Sequence, residues 1–114
     1  MRKDARYLED ILEAIEHIER YTANGTQVIE QDELIGTWVV HHLQIIGEAA
    51  RSLSAPLKQA HPEIAWRQVT DLRNVIVHQY FHVDMVIIRA ILDRDIPNLK
   101  EKVASIVKSI GESE

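Results

Sequence analysis

Apolar residues recur at steps of three and four along most of the chain, which is the spacing of an amphipathic α-helix. The pattern first predicts a helix over about residues 4–23, which ends at Asn24-Gly25. Further helices are predicted over about residues 32–53, 66–81, 83–94 and 97–110, the last opening with Pro97 in its first turn. No segment alternates with period two for long enough to form a strand. We therefore expect an all-α antiparallel bundle of four to five helices, with residues 1–114 forming a single domain.

The second predicted helix, residues 32–53, is apolar around most of its circumference. A helix of this kind must be buried on nearly all sides, but a chain of 114 residues has few elements with which to surround it. We therefore expect part of this helix to lie in a subunit interface, and the protein to be a homodimer. The following residues 54–62 contain two helix breakers, Pro56 and Pro62, and are predicted to form a connector.

Cysteine usage and the terminal segment indicate where the protein resides. The chain contains no cysteine, which excludes disulfides and cysteine-ligated metals and agrees with a reducing cytosol. The N-terminal segment carries acidic residues throughout and lacks the apolar centre of a signal peptide. No apolar run approaches the ~18 residues of a membrane span. We therefore expect a cytoplasmic protein with no membrane contact.

Charge is unevenly distributed along the chain, whose net charge is −5. Residues 1–50 hold four Lys and Arg against ten Asp and Glu, a net of −6. Residues 51–82 hold four Lys and Arg against two Asp and Glu, a net of +2, together with three histidines. An acidic protein is a poor general binder of nucleic acid, because phosphate affinity comes from Lys and Arg. The positive segment is also the one that contains the chain's unusual polar cluster.

That cluster is the stretch RNVIVHQYF, which places Arg73, His78 and Tyr80 among aliphatic residues. Each polar group costs free energy if it is buried without a partner, so the three are either paired structural groups or the lining of a site. Arg73 and Tyr80 are seven residues apart and align on one helix face, whereas His78 lies about 140° round the axis from Arg73. Either the helix ends near His78, or two copies of the chain share a cleft. In the structural alternative, Arg73 pairs with Asp71 or Glu48 and His78 caps a helix C-terminus.

The histidines do not assemble an evident metal site. His78 and His82 have the spacing of a helical metal pair, but two histidines do not fill a zinc site and no HExxH glutamate accompanies them. Of the adjacent His41 and His42, one is expected at the core edge and one at the surface. Two further histidines are expected at the surface: His17 and His61. With no Gly-rich phosphate loop and no Ser-His-Asp arrangement either, we expect no metal and no cofactor.

RNA cleavage is the chemistry that fits Arg73, His78 and Tyr80. A histidine of near-neutral pKa can take the proton from a ribose 2′-hydroxyl, whose oxygen then attacks the adjacent phosphate. An arginine stabilises the charge that grows on the phosphoryl oxygens. The 5′-oxygen leaves with a proton from a second acid. One chain supplies one such histidine, and a two-fold dimer would supply two.

The motif resembles the Arg-x4-6-His signature of the HEPN (higher eukaryotes and prokaryotes nucleotide-binding) superfamily, whose catalytic members are metal-independent RNases. Asn74 follows the arginine, and His78-Gln79-Tyr80 extends the motif to Arg-x4-His-x-Tyr. The segments IIGEAARSLS, HPEIAW, YFHVDMVII and DIPNLKEKV are similar, in order, to the HepT-like toxin branch. The resemblance spans nearly the whole chain, although His82 stands where many relatives have a glycine.

The resemblance implies a HEPN domain that forms an all-helical homodimer with the two motifs across the interface. It implies the toxin of a type VII-like toxin–antitoxin system, encoded beside a small MNT-type nucleotidyltransferase antitoxin that transfers AMP to the motif tyrosine. Carried over residue by residue, Arg73 and His78 are catalytic, Asn74 has a supporting role and Tyr80 is the AMP acceptor. Glu48 and Arg51 also match a family segment, to which no chemistry is assigned.

Two functions from different classes follow. In the first, the protein is a toxin that cleaves RNA. In the second, it is a non-catalytic helical module that binds a nucleotide or only a nucleotidyltransferase partner. The intact Arg-x4-His-x-Tyr motif favours the RNase, because a pure binding module has no need of that combination.

Overall fold

A computed structural model describes residues 2–78 and 85–113, with the side chains of residues 2, 75–78 and 112–113 outside that description. Most of the described residues are helical and none of them lies in a strand, which confirms the all-α prediction. The elements run α1 Arg2–Tyr21, α2 Val28–Gln31, α3 Glu33–Ser52, α4 Ala55–Ala60, α5 Trp66–His78, α6 Met85–Ala90, a π-helical turn Ile91–Asp95, and α7 Ile96–Ser113.

Helix α3 lies at the centre of the bundle, where it packs against α1 on one side and α5 on another, while α7 packs against α1. The core is aliphatic, as the low aromatic content requires, and its largest fully buried side chains come from α1, α2, α3 and α7. They are Leu8, Ile11, Ile15, Ile18, Ile29, Val39, Leu43, Ile46 and Val103. Burial of each such side chain stabilises the fold by about 1.5–3 kcal/mol.

The segment predicted to be a connector, residues 54–62, contains the short helix α4, so that prediction was wrong in part. Ser54 is the N-cap of α4, and its hydroxyl oxygen accepts from the backbone N–H of Leu57 at 3.3 Å. Pro56 lies in the first turn, where its missing N–H costs no helical hydrogen bond. The buried carboxylate of Asp4 accepts from the Ser54 N–H at 2.9 Å and from the Ser54 hydroxyl at 2.6 Å, which ties the start of α1 to the start of α4.

The predicted break between the fourth and fifth helices is also absent, because α6, the π turn and α7 follow one another without interruption. In a regular α-helix the ring of Pro97 would clash with the carbonyl of Asp93. Proline also lacks the backbone N–H that would donate to that carbonyl. The backbone instead widens, and the Ile96 N–H donates to the Ile91 oxygen five residues earlier. The π turn therefore accommodates Pro97 inside a helical run.

Helix α3 is well covered by α1 and α5 but retains exposed apolar residues. Asp32 caps its N-terminus by accepting from the backbone N–H groups of Leu34 and Ile35 at 3.0 and 3.2 Å. Beyond the cap, Leu34 is 82% exposed and Trp38 is 43% exposed. The expectation that this helix would be buried on nearly all sides therefore does not hold within one chain. None of the helices in the described ranges is both long enough and apolar enough to cross a membrane.

Candidate functional site

The site is built where α3 and α5 come closest together. Gly47 of α3 is buried, and a Cβ added to it would lie 2.7 Å from the backbone nitrogen of Arg73 and 3.1 Å from the backbone oxygen of Thr70. Any side chain at residue 47 would therefore push α5 away. The glycine lets the backbone of α5 lie directly against α3, and this contact sets the position of Arg73.

Arg73 forms an ion pair with Glu48, the residue that follows this glycine. The Nε of Arg73 lies 2.6 Å from Oε2 of Glu48, and the two side chains are 39% and 53% exposed. Of the two acidic partners predicted for Arg73, the structure pairs it with Glu48, while Asp71 is exposed. This ion pair involves only the Nε of Arg73, and four of the five N–H donors of the guanidinium are on its two Nη atoms. Within the described part of the chain, no other carboxylate pairs with Arg73.

A second guanidinium approaches the same carboxylate. Nη1 of Arg51 lies 3.7 Å from Oε1 of Glu48, and the Arg51 side chain is 59% exposed. Glu48 thus stands between Arg51 in the last turn of α3 and Arg73 on α5, with one carboxylate oxygen toward each. The three side chains carry a net charge of +1 at a surface position. Sequence reasoning named Glu48 as a possible partner of Arg73, but it did not place Arg51 beside them.

The predicted motif is only partly within the described residues. Arg73 and the exposed Asn74 lie on α5, which ends at His78. The side chain of His78 and the whole of Tyr80 lie outside the described residues, so the convergence of the motif side chains stays a prediction. The predicted role of His78 as a helix cap stays untested for the same reason. Among the side chains that the structure describes, no three His, Asp or Glu residues are grouped so that they could hold a metal ion.

A separate histidine cluster lies where α1 meets α3. His42 is 4% exposed, and its Nδ1–H donates to the Trp38 carbonyl oxygen at 2.8 Å. Its ring centroid lies 4.9 Å from that of His17 and 5.4 Å from that of His41. Burial lowers the pKa of His42, and the nearby His17 and His41 lower it further against the opposing effect of the Trp38 hydrogen bond. The cluster lies about two turns before Glu48 on α3.

The four histidines with described side chains differ in how far they are exposed. His41 is exposed and His42 is buried, as expected for adjacent helical residues. His17 and His61 lie at the surface but are only partly exposed, with side chains 32% and 27% exposed. His17 is covered by its contact with the His42 ring, and His61 is held by a 3.2 Å contact of its Nδ1 with Glu63 Oε2.

Comparisons with known proteins agree with the family resemblance of the sequence. Residues 11–106 match the family described as "Ribonuclease HepT-like". The chain is 38% identical over 111 residues to the "Probable ribonuclease HepT" of Thermococcus cleftensis, an alignment that covers 94% of this chain and 98% of that protein. It is 32% identical over 115 residues to a Methanocaldococcus jannaschii protein named "Gamma-glutamylcyclotransferase and putative RNase", covering 99% of this chain but 52% of that protein. No solved structure matches the chain significantly.

The match to this family covers most of the chain, and the relative from Thermococcus cleftensis aligns along nearly its full length. The chain therefore belongs to the HepT-like ribonuclease family.

Proposed function

We propose that residues 1–114 form a single HEPN domain that acts in the cytoplasm as a metal-independent endoribonuclease, the toxin of a type VII-like toxin–antitoxin system. The observation that carries this proposal is the position of Arg73. Within a family of ribonucleases, the motif arginine is held through its Nε at a half-exposed site. Its Nη groups are the donors that suit a phosphate, because a guanidinium fork matches two phosphate oxygens.

The reaction uses the nucleophile that RNA itself carries. His78 takes the proton of a ribose 2′-hydroxyl, and the 2′-oxygen forms a bond to the adjacent phosphorus. The bond from phosphorus to the 5′-oxygen breaks, and that oxygen receives a proton from a second acid. Arg73 stabilises the charge on the non-bridging oxygens during the transfer. The products are a 2′,3′-cyclic phosphate and a 5′-hydroxyl, and Asn74 beside the arginine supports phosphate binding.

A homodimer supplies the second acid as the partner's copy of the histidine. The support for a dimer is a stripe on α3, which we define as Leu34, Trp38, His41, Ile45 and Glu48. These residues follow one another at steps of four, three, four and three, the spacing of a helical packing seam. The apolar start of the stripe is exposed, and its end is the carboxylate that pairs with Arg73. A second copy that covers the stripe would also border Arg73, as a shared site requires.

Silencing by an MNT-type nucleotidyltransferase antitoxin completes the proposed system. The phenol oxygen of Tyr80 would attack the α-phosphate of ATP held by the antitoxin, with release of pyrophosphate and of the phenol proton. Support comes from the motif Arg-x4-His-x-Tyr and from family membership. The adenylyl group adds an anion close in sequence to Arg73, where it would compete with the RNA phosphate.

RNA cleavage by the purified protein tests the proposal. We expect cleavage of a mixed RNA substrate in excess EDTA, with 2′,3′-cyclic phosphate ends. Arg73→Ala and His78→Ala should each lower the rate by about 10²-fold or more, the usual scale for an electrostatic stabiliser or a general base. Arg67→Ala is the matched control, since it removes an exposed cation from the same helix. Equal cleavage by the wild type and His78→Ala would refute the mechanism, and no cleavage by the wild type would favour a non-catalytic binding module.

A further inference from the structure

The Arg51 side chain is an exposed cation whose contact with Glu48 is a local i,i+3 pair on the same helix. It is 59% exposed, and its ion-pair partner among the described residues is Glu48, at the long distance of 3.7 Å. Arg51 lies in the last turn of α3, where the helix dipole favours a cation. The dipole and the i,i+3 spacing account for a cation beside Glu48, but they leave most of the Arg51 guanidinium exposed next to the Arg73 ion pair.

Glu48 lies between two positive charges. Arg73 Nε lies 2.6 Å from Oε2 and Arg51 Nη1 lies 3.7 Å from Oε1, so the two guanidiniums flank one carboxylate. Two guanidiniums beside the same carboxylate repel each other, and the negative charge between them offsets that repulsion. The cluster still has a net charge of +1, so it attracts an anion while its two cations stay close together.

The two contacts differ in strength, and this difference suggests different tasks. The Arg73 contact is short, as expected of a charge-assisted bond that fixes the orientation of the guanidinium. The Arg51 contact is long and exposed, so water and salt weaken it and an incoming anion can replace it. Arg51 is therefore free to turn toward a ligand, whereas Arg73 is held.

We propose that Arg51 binds an RNA phosphate next to the scissile one, and that Glu48 is the positioning residue that holds Arg73, so that the two guanidiniums form a two-phosphate site. This inference rests on the proposed function, because it assumes that the scissile phosphate lies at Arg73. RNA carries one phosphate per nucleotide, so a strand with a phosphate at Arg73 presents another a short distance away. An adjacent guanidinium is suited to receive it by charge-assisted hydrogen bonds.

Binding of an uncleavable RNA tests the role of Arg51 independently of catalysis. The probe is a fluorescein-labelled single-stranded RNA with 2′-O-methyl groups at every ribose, which removes the nucleophile. Its affinity is measured by anisotropy over a range of salt concentrations. Each phosphate contact on a single strand contributes about 0.7 to the slope of log affinity against log salt, so Arg51→Gln should lower that slope by about 0.7. The control Arg67→Gln removes an exposed cation that does not pair with Glu48 among the described contacts, and it should leave the slope near the wild-type value.

Turnover of a cleavable RNA tests the role of Glu48. Glu48→Gln removes an anion from the site, so RNA affinity should be unchanged or tighter. The kcat should fall by about tenfold or more, because Arg73 is no longer held in its orientation. The control Glu33→Gln removes an exposed carboxylate from the first turn of α3 and should change neither quantity. A merely structural role for Glu48 would lower the Tm in parallel with kcat, so thermal unfolding is measured on the same samples.

These two experiments separate failure of the inference from failure of the proposed function. If Arg51→Gln binds the probe with the wild-type affinity and salt slope, Arg51 is not a phosphate ligand and the inference is overturned. If the wild type binds the probe but does not cut RNA, the proposed function fails, while the salt slope still decides whether Arg51 contacts a phosphate. If Glu48→Gln keeps the wild-type kcat, Glu48 is not a positioning residue.

Discussion

Gly47 on α3 and Arg73 on α5 are in such close contact that a Cβ added to Gly47 would lie 2.7 Å from the Arg73 backbone nitrogen and 3.0 Å from the Arg73 Cβ. The atoms it would meet belong to the α5 backbone and the base of a side chain, which cannot turn aside. Glu48, the next residue of α3, pairs with the same arginine. One contact between helices thus sets both the backbone position and the side-chain partner of Arg73.

Gly47→Ala should therefore both destabilise the fold and displace Arg73. We expect a loss of about 1–3 kcal/mol in the free energy of unfolding, the usual cost of overpacking, together with lower RNase activity at temperatures where the variant is folded. Gly111→Ala is the matched control, because an added Cβ there meets no atom within 4 Å. In a helix this control should stabilise by about 0.5–1 kcal/mol. Urea unfolding measures the stability of both variants. Equal stability of Gly47→Ala and Gly111→Ala would show that the close contact between α3 and α5 does not require a glycine.

The histidine cluster predicts a pH dependence of stability. Burial first, and then the proximity of His17 and His41, lowers the pKa of His42 in the folded protein, whereas an unfolded chain holds a histidine near its ordinary pKa of about 6.5. The unfolded state therefore binds a proton more readily than the folded state. The stabilising contribution of neutral His42 is complete above about pH 6.5 and is lost as the pH falls from there through the lowered pKa of the folded state.

His42→Asn tests this dependence, because the amide can keep a donor toward the Trp38 oxygen but does not titrate in this range. Between pH 7.5 and pH 5 we expect the wild type to lose the most stability and His42→Asn the least. The exposed control His41→Asn should lose slightly less than the wild type, because it removes the smallest of the causes that lower the His42 pKa. The measurement is the urea midpoint at each pH. If all three proteins lose the same amount, the acid sensitivity comes from other groups.

Much of this fold could be predicted from the sequence, because long helices repeat their apolar positions several times. The four-residue α2 and six-residue α4 are too short for that signal. The π turn was missed because it results from a clash between Pro97 and the backbone rather than from a pattern of apolar positions.

The site was predicted in part: the sequence names Glu48 and Asp71 as partners for Arg73, but only the crossing of α3 over α5 selects Glu48. Gly47, inside a long helical pattern, is the one local sign of that crossing.

The stripe on α3 predicts a two-fold dimer that one charge can disrupt. Leu34 is 82% exposed in the single chain, so Leu34→Arg should leave the fold intact. It should raise the dimer Kd by roughly 30-fold or more, which is the scale of an interface hot spot. Light scattering across a dilution series should give about twice the 13.1 kDa chain mass for the wild type and for the control Ala104→Arg on the exposed side of α7. A wild-type protein that scatters as a monomer at micromolar concentration would rule out both the dimer and a site shared between two chains.

Tyr80 is predicted to be the residue through which the toxin is silenced. An ordinary phenol has a pKa near 10 and is neutral at pH 7, so Tyr80 is not expected to act as the catalytic base. If α5 continues regularly beyond its described end, Tyr80 lies on the same face as Arg73, seven residues earlier. An AMP group on the phenol would then place a bulky anion where the RNA phosphate binds, and it would block the site by occupancy and by charge.

Tyr80→Phe should therefore retain some RNase activity but escape silencing when the protein is co-expressed with a nucleotidyltransferase antitoxin. Intact mass spectrometry should show AMP-sized additions on the wild type and none on Tyr80→Phe. Tyr21→Phe is the matched control: Tyr21 is 39% exposed and available for modification, but it lies on α1 against Trp38 and away from the motif. That control should be modified and silenced like the wild type. If Tyr80→Phe is modified and silenced to the same extent, the AMP acceptor is a different residue, and the role assigned to Tyr80 by family resemblance is wrong.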